Sequence, residues 1–524
     1  MAMKTRETRT PMKFILPNCL HMLLCGSLMA QDVEFVDRVN LDIEVVEAVT
    51  TESEVEGSAE SLLPPMAPNA PSSITEAELG QIRARVEQAL ELQTTTLQQL
   101  DSHRLVREHR IPVELDGERR ELRLYPYSMR SDNLVVFVED EKGLFREEAP
   151  PPITTFRGSI VEEPTSEVVA SIIDGRLFAA ITTSKGAWAI EPVSKTLPDV
   201  PAGLHAVYRV SDVVPPAGVC GVDAALVAHP LGPGPKEPGV VEALGTGGRT
   251  QIGFDTDAEY YQANGSSTSA TISDIEKIMN QVGLIYQNQF SICYVIEAII
   301  VRTNVGTDPY SATNPDTLLC QFADEWNSNV TTTRDVAHLM TGKNLDGTTI
   351  GIAWTGVICD QEFTNCNGGR LHYGLSQTFF STNLVSRTGL TAHELGHNWN
   401  ACHCNQGACT GDGADADCGI MWSASGTQQS TLVFGSRSTA AITSHRDSRT
   451  CLGTCIDPIY VNLNNNPLIE NGTAEFPFDT VSEGVKWVQV GGTVIITTGS
   501  YAETLRINKI MDLVSSGGPV TIGK

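Results

Sequence analysis

Apolar and polar residues follow three successive patterns along the chain, and the first is helical. After Thr75, apolar residues recur every three or four positions on one helical face: Leu79, Ile82, Val86 and Leu90. Thr75 and Glu78 match a capping box, in which the hydroxyl and the carboxylate accept hydrogen bonds from backbone amides at a helix start. We therefore predict a helix that begins directly after Thr75.

From about residue 111 to 210 the apolar period becomes two, which is typical of half-buried strands. The strand-like runs are ELRLYPY, NLVVFVED, EVVASIID, RLFAAITT and AWAIEPV. Turn residues separate them at Asp116-Gly117, Lys142-Gly143 and Asp174-Gly175. This pattern predicts an antiparallel β domain. Residues 212–249 follow and are predicted to be a linker, because they are too rich in proline and glycine for regular structure.

The third pattern, in residues 250–455, mixes strand and helix periods and indicates an α/β domain. QIGFDTD, CYVIEAIIV and TTIGIAWTG are predicted to be strands. Helices are predicted over the apolar face of Ile272, Ile275, Met279, Val282 and Tyr286, over 315–328 and 386–400, and from Ser436 to Arg446. Residues 456–524 are again β-rich. The predicted fold class is multidomain, with a β-rich N-terminal region, an α/β domain and a C-terminal β-rich segment.

The N-terminus has the order of a secretory leader. Basic residues precede an apolar run that ends before an acidic segment: Lys4, Arg6, Arg9 and Lys13, then Leu20 to Met29 and Ala30. Met12 is an alternative start that gives a more compact leader. A membrane anchor is the other reading, but the apolar run is well short of the ~20 residues that span a bilayer. We predict a signal peptide at residues 1–30 and a secreted or periplasmic protein.

Charge and cysteine content narrow the partners and the compartment. The formal net charge is −27, which argues against nucleic acid or an anionic membrane as a partner. No segment besides the leader is apolar enough to suggest a membrane span. Of 13 cysteines, ten lie from Cys293 to Cys455, an even number that predicts five disulfides in an oxidising compartment. Cys220 stands apart in the linker.

The candidate chemistry lies in the run His393-Glu394-Leu395-Gly396-His397-Asn398-Trp399-Asn400-Ala401-Cys402-His403. Histidines at i and i+4 project from one helical face, so both can bind one metal. The third histidine joins them only if the helix turns near Asn400, and asparagine tolerates a left-handed backbone. Three neutral imidazoles leave zinc a fourth position for catalysis. Glu394 is the candidate general base, which takes a proton from water and passes it to the leaving amine.

The motif can also be explained without a catalytic metal. HExxH alone also arises on solvated helix faces, and only the third histidine, in a cysteine-rich exported chain, makes metal binding the better interpretation. Cys402 and Cys404 flank His403 and are either further zinc ligands or disulfide partners. The even number of cysteines favours disulfides.

HELGHNWNACH resembles the extended zinc motif of the metzincin peptidases, and its surroundings resemble the reprolysin (adamalysin) branch. The resemblance implies a Met-turn below the zinc, which the element Cys418-Gly419-Ile420-Met421 would supply through Met421. It also implies that TTIGIAWTGVIC is the edge strand that aligns a peptide substrate by β-addition. Two departures are Cys404, where the branch commonly has Asp, and Asn400, where Gly is usual. Neither removes a ligand or the base.

The upstream segment ITTFRGSIVEEPTSEVVASIIDGRLFAAI resembles the propeptide of the same branch. The implied organisation is a propeptide at residues 31–211, a linker at 212–249 and a metzincin domain at 250–455. Propeptides of this kind present a cysteine to the zinc, and Cys220 is the candidate ligand in the latent form only. A free or intermolecular thiol is the alternative. The segment 456–524 is similar to the start of a right-handed parallel β-helix of the pectin-lyase type.

The function expected from the sequence is a secreted zinc-dependent endopeptidase, made as a latent precursor and acting on protein or peptide substrates. The alternatives are an inactive metzincin scaffold that serves in binding or adhesion, and a carbohydrate-active enzyme acting through the C-terminal segment. That segment shows no carboxylate cluster or aromatic ladder in its sequence. Calcium is a possible second ion at Asp412, Asp415 and Asp417, and a solvated acidic loop is the alternative for these residues.

Overall fold

The computed structural model describes residues 75–523 except for a set of gaps. The gaps are 101–102, 105–108, 141, 202, 215, 222–247, 361–371, 405–417, 425–431, 454, 456–457, 466–469, 471, 473, 475, 489–492, 506 and 508–510. The predicted signal peptide and the aspartates Asp412, Asp415 and Asp417 lie outside the described residues. All described residues belong to one compact unit. Among them, no helix is both long and apolar enough to cross a membrane.

Residues 75–220 form two helices, twelve strands and a 3₁₀ turn. They are α1 (Glu76–Ala89), β1 (Thr96–Gln99), β2 (His103–Arg104), β3 (His109–Leu115), β4 (Glu118–Pro126), β5 (Arg130–Glu139), β6 (Phe145–Glu148), β7 (Thr155–Ile160), β8 (Glu163–Ile173), β9 (Arg176–Thr183), β10 (Gly186–Pro192), α2 (Val193–Thr196), β11 (Leu204–Arg209), the 3₁₀ turn Val210–Asp212 and β12 (Val219–Cys220). The predicted start of α1 is confirmed, because Thr75 and Glu78 form both bonds of the capping box.

Nine of these strands form an antiparallel sheet in the order β1-β11-β10-β9-β8-β7-β4-β3-β2. Its apolar side chains pack in a core of their own, which includes Val113, Leu122 and Ile181, all with no exposed surface. The antiparallel β prediction is confirmed for these strands. It is wrong for NLVVFVED, because β5 leaves this sheet and pairs in parallel with a strand of the α/β region.

The α/β region continues with five strands and five helices. They are β13 (Gly248–Thr256), α3 (Ala258–Ala263), α4 (Thr268–Phe290), β14 (Ile292–Val301), α5 (Pro315–Asn329), β15 (Val336–Thr341), β16 (Thr349–Ala353), β17 (Tyr373–Gln377), a 3₁₀ turn at Thr378–Phe380, α6 (Leu384–Asn398) and α7 (Ser436–Ser448). The predicted strands and helices of this region are confirmed in type, with bounds that shift by a few residues.

A second sheet of eight strands has the order β12-β16-β17-β15-β13-β14-β5-β6. Strands β14, β13, β15 and β17 run parallel to one another, and β16 is antiparallel to β17. Helices α4 and α6 contribute to the core on one face, and α5 packs into a separate apolar cluster that includes Phe322 and Trp326. The outer side of α4 contacts β7 and β8 of the nine-stranded sheet. Helix α4 is therefore buried between the two sheets.

The C-terminal segment has β18 (Ile459–Val461), α8 (Val481–Trp487), β19 (Thr493–Tyr501) and β20 (Asp512–Ile522). The three strands form a parallel sheet in chain order, over a small core of their own. Parallel stacking of successive strands is what a β-helix requires, but the β-helix interpretation stays a prediction.

Disulfides join Cys293 to Cys455, Cys359 to Cys451, and Cys404 to Cys418. Cys320 and Cys402 are also disulfide-bonded. The interpretation of the two cysteines beside His403 as disulfide partners, rather than zinc ligands, is therefore confirmed. Cys220 takes part in none of the three bridges.

Candidate metal centre

Helix α6 places the first two histidines. Asn383 caps the helix by accepting a hydrogen bond from the amide of Ser386 at 3.1 Å. The helix then runs for four turns into the core, and His393 and His397 emerge one turn apart with no exposed surface. The i, i+4 spacing thus brings both rings to one side of the helix, as the sequence predicts.

The chain reverses directly after α6, and the reversal brings in the third histidine. Asn400 has a φ of 74°, which is the left-handed conformation predicted for it. Gly356, three residues beyond β16, has a φ of 69°, and a Cβ there would lie 2.7 Å from Asn400 Oδ1, so glycine is favoured where this segment approaches the turn. After the turn, His403 returns to the two histidines of the helix and is buried.

The three imidazoles converge on a single point. The Nε2 atoms of His393 and His397 are 3.1 Å apart, and each lies 3.2 Å from Nε2 of His403. His393 Nδ1 lies 2.7 Å from the carbonyl of Ile420, and His397 Nδ1 lies 2.7 Å from the carbonyl of Ala401. Since a carbonyl only accepts, both Nδ1 atoms must donate.

The tautomers of His393 and His397 are those that zinc binding requires. With Nδ1 protonated, the Nε2 lone pairs of His393 and His397 point at one another, an arrangement that a cation between them stabilises. Burial lowers the pKa of His393 to about 3 and that of His397 well below its ordinary value, so both rings are neutral. Neutral imidazoles oriented by carbonyl hydrogen bonds are the donors zinc takes in catalytic sites. The residues present fit the ion.

Glu394 lies beside this cluster with no exposed surface. Burial raises the pKa of its carboxyl well above the ordinary value, and the thiol of Cys220 partly opposes the shift. A Cβ on Gly351, in β16, would overlap Glu394 Oε1. The carboxyl therefore occupies space that exists only because residue 351 is glycine.

Cys220 faces the same point from the opposite side. Its Sγ lies 3.4 Å from His397 Nε2 and 3.5 Å from Glu394 Oε2. One donor atom from each of Cys220, His393, His397 and His403 falls within 4.8 Å of the others. The sequence placed this cysteine with the histidines only through the family resemblance, because 173 residues separate it from the motif's first histidine, by 393 − 220.

The backbone beside Cys220 forms strand β12, which runs parallel to β16. The prediction that residues 212–249 lack regular structure is therefore wrong at Val219–Cys220, and also at Gly248, where β13 begins. The amide of Val219 donates to the carbonyl of Thr348 at 2.9 Å, and that of Gly221 donates to the carbonyl of Gly351 at 2.8 Å. A third bond runs from the amide of Cys220 to the carbonyl of Ser423 at 3.0 Å. Residues 219–221 therefore cover the edge of β16.

Met421 lies below α6 and is fully buried. A Cβ on Gly396 would sit 2.6 Å from Met421 Sδ, so the glycine between the two helical histidines lets the sulfur approach the helix. The preceding residue, Ile420, supplies the carbonyl that orients His393. The Met421 segment therefore supports the histidine cluster from beneath.

Sequence reasoning missed two contributors to this site. The first is Gly351, although a glycine inside the β-prone run TTIGIAWTG is itself a sign of close backbone approach. The second is the pair of carbonyls at Ile420 and Ala401, which no side-chain pattern identifies.

Three comparisons with known proteins relate to this region. Residues 249–434 match the family described as Reprolysin_5, metallo-peptidase family M12. Disintegrin and metalloproteinase domain-containing protein 19 is 26% identical over 281 residues in Homo sapiens and 26% over 282 in Mus musculus, covering 52% of this chain in each case. Disintegrin and metalloproteinase domain-containing protein 10 of Mus musculus is 24% identical over 305 residues, or 49% of this chain.

The matches cover only 28%, 29% and 40% of these three relatives, so this chain spans well under half of their length. Among solved structures, the crystal structure of metalloproteinase-II from Bacteroides fragilis is similar with a TM-score of 0.35 and 13% identity. That similarity covers 64% of this chain and 91% of the other. Together, the family match and the curated relatives support a reprolysin-type metallopeptidase domain of family M12 at residues 249–434.

Proposed function

We propose that this chain is a zinc-dependent endopeptidase, made as a latent precursor and exported from the cell. The observation that carries the proposal is the convergence of three histidine Nε2 atoms within 3.2 Å of one another, beside a buried glutamate. The disulfides are consistent with export, because such bonds persist in oxidising compartments.

His393, His397 and His403 would hold the zinc, and the carbonyls of Ile420 and Ala401 keep two of the rings in the required tautomer. Bound there, zinc supplies Lewis acidity toward water and toward the carbonyl of a peptide bond. Glu394 takes a proton from the attacking water and returns it to the leaving amine. Met421 supports the cluster from below the helix.

The edge of β16 aligns the substrate. The carbonyls of Thr348 and Gly351 accept hydrogen bonds from residues 219–221 and would accept them equally from an extended peptide. Gly351 belongs to this edge, and its lack of a side chain leaves the space that the Glu394 carboxyl occupies. A peptide bound along β16 therefore lies next to the proposed base.

Latency follows from the same contacts. Cys220 lies against the histidines and the base, and its backbone neighbours fill the edge of β16. While this segment is in place, both the zinc position and the peptide-binding edge are blocked. We propose that Cys220 is the latent form's fourth ligand, and that residues 31–211 act as the propeptide.

The other functional class is an inactive scaffold used in binding or adhesion. The complete set of three histidines and a glutamate favours the enzyme, because a scaffold needs neither a general base nor the space that Gly351 leaves for it. One observation bears on the carbohydrate-active alternative. The C-terminal segment brings carboxyl oxygens of Glu470, Asp479 and Glu483 within 4.8 Å of one another, so the expectation of no carboxylate cluster there is wrong. All three residues are at most 4% exposed, which leaves a polysaccharide no access to them.

The test is hydrolysis of casein by the processed protein, with and without a zinc chelator, beside Glu394→Ala. We expect the chelator to abolish hydrolysis and added zinc to restore it. Glu394→Ala should retain zinc and lose about 10²- to 10⁴-fold in rate, the usual contribution of a general base. If both proteins bind zinc and the processed wild type does not hydrolyse casein, the scaffold is the better account.

A further inference from the structure

Residues before the 222–247 segment supply strands at both ends of the eight-stranded sheet. We call the side where β12 pairs with β16 the near edge, and the side where β5 pairs with β14 the far edge. A chain cut within 222–247 would leave an N-terminal fragment and a C-terminal fragment that meet at both edges. The strength of the contacts at each edge determines whether the two fragments stay together after such a cut.

The far edge is an extensive strand pairing. Strand β5 has ten residues and pairs with β14 at Arg130–Ile296 and then, after a register shift, from Val135–Ala298 to Val138–Val301. Strand β6 then pairs with β5 and takes the outer position. Removing β5 would leave the amides and carbonyls along β14 without their partners, which is costly for a buried strand.

Side chains reinforce this pairing. Val136 and Val138 are 1% and 8% exposed and belong to the core formed by α4 and α6. Arg130 makes two hydrogen bonds to the carboxylate of Glu276 on α4, at 2.5 and 2.9 Å. The guanidinium and the carboxylate are 12% and 6% exposed, so water scarcely competes for this pair.

The outer side of α4 adds contacts with the nine-stranded sheet. Arg157, fully buried, donates to Asn280 Oδ1 at 3.1 Å and to Gln287 Oε1 at 2.7 Å. Asn280 in turn donates to the backbone carbonyls of Phe156 and Ala170, each at 3.1 Å. Both partners of each bond are buried or half-buried, so separation of the fragments would break a satisfied network.

The start of α6 is a third contact between the fragments. Glu191, at the end of β10, accepts a hydrogen bond from the amide of Leu384 at 3.0 Å. Asn383 donates to the carbonyl of Leu90 at 3.1 Å and to the hydroxyl of Tyr208 at 3.0 Å. The helix that carries the histidines is thus also anchored at its first turn by the N-terminal fragment.

The near edge, in contrast, is short. Strand β12 has two residues, and it lies at the C-terminal end of the N-terminal fragment, where a cut frees it from the following chain. Its contacts include three backbone hydrogen bonds from residues 219–221 and the approach of the Cys220 thiol to His397. A strand of two residues near a chain end frays more easily than a longer strand inside a sheet.

We propose that the N-terminal fragment stays bound after the chain is cut within 222–247. This fragment remains paired with β14 and packed on α4. The processed protein is then a two-chain assembly in which only residues 219–221 detach from the site. This inference rests on the proposed latent precursor. Activation then requires a cut and local release, rather than loss of the whole N-terminal region.

The experiment places the recognition sequence of a site-specific protease within residues 222–247 of the full chain that also carries Cys220→Ala. After cleavage, the protein is passed over a size-exclusion column at about 1 µM, a concentration at which an interface of this extent should remain closed. We expect the two fragments to elute together and to separate on a non-reducing denaturing gel. Elution of separate fragments would overturn the inference, since the cysteine is absent and only the sheet and helix contacts remain.

A matched pair of variants tests which edge holds. Arg130→Ala leaves Glu276 buried without its partner, so we expect the fragments to dissociate about 30-fold faster or more after cleavage. Arg85→Ala is the control, because Arg85 makes two hydrogen bonds to Asp199 in an exposed pair that lies wholly inside the N-terminal fragment. Equal dissociation rates for the two variants would show that the far edge does not hold the fragments.

These readouts measure association and need no hydrolysis. If the cleaved fragments remain together but casein is never hydrolysed, the assembly stands and the proposed peptidase fails. If casein is hydrolysed by a C-terminal fragment that elutes alone, the peptidase stands and the two-chain assembly fails.

Discussion

The near and far edges of the eight-stranded sheet differ in how extensively the N-terminal region pairs with them. At the near edge, two residues of β12 pair with β16, and a single thiol points to the histidines. At the far edge, five residues of the ten-residue strand β5 pair with β14, and apolar side chains of β5 are buried in the core. The proposed catalytic site therefore lies next to the short pairing, and the more extensive contacts lie at the other end of the sheet.

This difference explains how one N-terminal region can both block a site and support it. Residues 219–221 contact Glu394 and the edge of β16, which is the proposed substrate-binding edge. The other contacts of the N-terminal region reach α4 and the first turn of α6. Separate variants at the two edges should consequently change activity and stability independently, which gives four predictions.

The largest expected effect is at the near edge. Gly351→Ala introduces a Cβ that overlaps Glu394 Oε1, so the carboxyl must move. A displacement of about 1 Å costs roughly 10²-fold in catalysis. We expect casein hydrolysis by the processed protein to fall by about 10²-fold or more while its zinc content, measured by elemental analysis, stays at the wild-type level.

The control for this substitution is Gly453→Ala. A Cβ there meets its nearest neighbour, Arg249 Cβ, at an ordinary 3.5 Å, so the same change has room. Its hydrolysis rate should stay within about twofold of wild type, as for surface substitutions of little energetic effect. Wild-type activity in Gly351→Ala would mean that Glu394 is not the base, or that its position is not critical.

The second prediction applies one substitution at both edges. Val136→Ala removes two methyl groups at a position that is 1% exposed, so the free energy of unfolding should fall by about 2 kcal/mol. Val219→Ala, at the half-buried near edge, should change it by less than about 0.5 kcal/mol. Denaturant titrations of the two uncleaved variants measure this, and similar losses would contradict the contrast between the edges.

Much of the histidine site could be predicted from sequence, because its determinants are local. The i, i+4 spacing follows from the helical period, and the need for a turn before His403 follows from helix length. Asn400 then has to adopt positive φ, which it does. The antiparallel order of the nine strands is equally local, since short turns join most neighbours.

The partner of β5 could not be predicted in this way. Its alternating pattern shows that one face is buried but does not say which sheet buries it. Its ladder to β14 joins residues more than 160 apart, from Arg130 to Ile296 by 296 − 130. The contact of Cys220 with the histidines is likewise non-local, and only a family resemblance suggested it.

The third prediction concerns the thiol alone. Cys220→Ala in the uncleaved chain removes one contact with the histidines but leaves the backbone bonds of Val219 and Gly221 on β16. Latency should therefore weaken without disappearing, with a rise in casein hydrolysis of about tenfold, equivalent to about 1.4 kcal/mol. Val219→Ala keeps the thiol and should not produce this rise. Unchanged latency in Cys220→Ala would remove the thiol from the mechanism.

The smallest effect concerns the loop that packs on the far edge. Residues 303–310 contact the β5–β6 hairpin, because Thr303 donates to the carbonyl of Glu139 at 2.8 Å. Within this loop, burial raises the pKa of Asp308 to about 7, against two backbone amide bonds and Arg302, which lower it. Nearby Asp257 raises it further.

Because the folded pKa of Asp308 is above its ordinary value of 3.8, its stabilising contribution is complete below about pH 4 and is lost as the pH rises through 7. Asp308→Asn cannot titrate, so the fall in melting temperature between pH 5 and pH 8 should be smaller than in wild type by about 1–2 °C. Asparagine has one hydrogen-bond acceptor fewer than a carboxylate, which lowers stability at every pH. The result therefore lies in how steeply the melting temperature changes with pH, and not in its absolute value. Asp316→Asn, at an exposed carboxylate, is the control for charge removal. If the melting temperatures of Asp308→Asn and wild type fall equally between pH 5 and pH 8, the titration of this carboxyl does not affect stability.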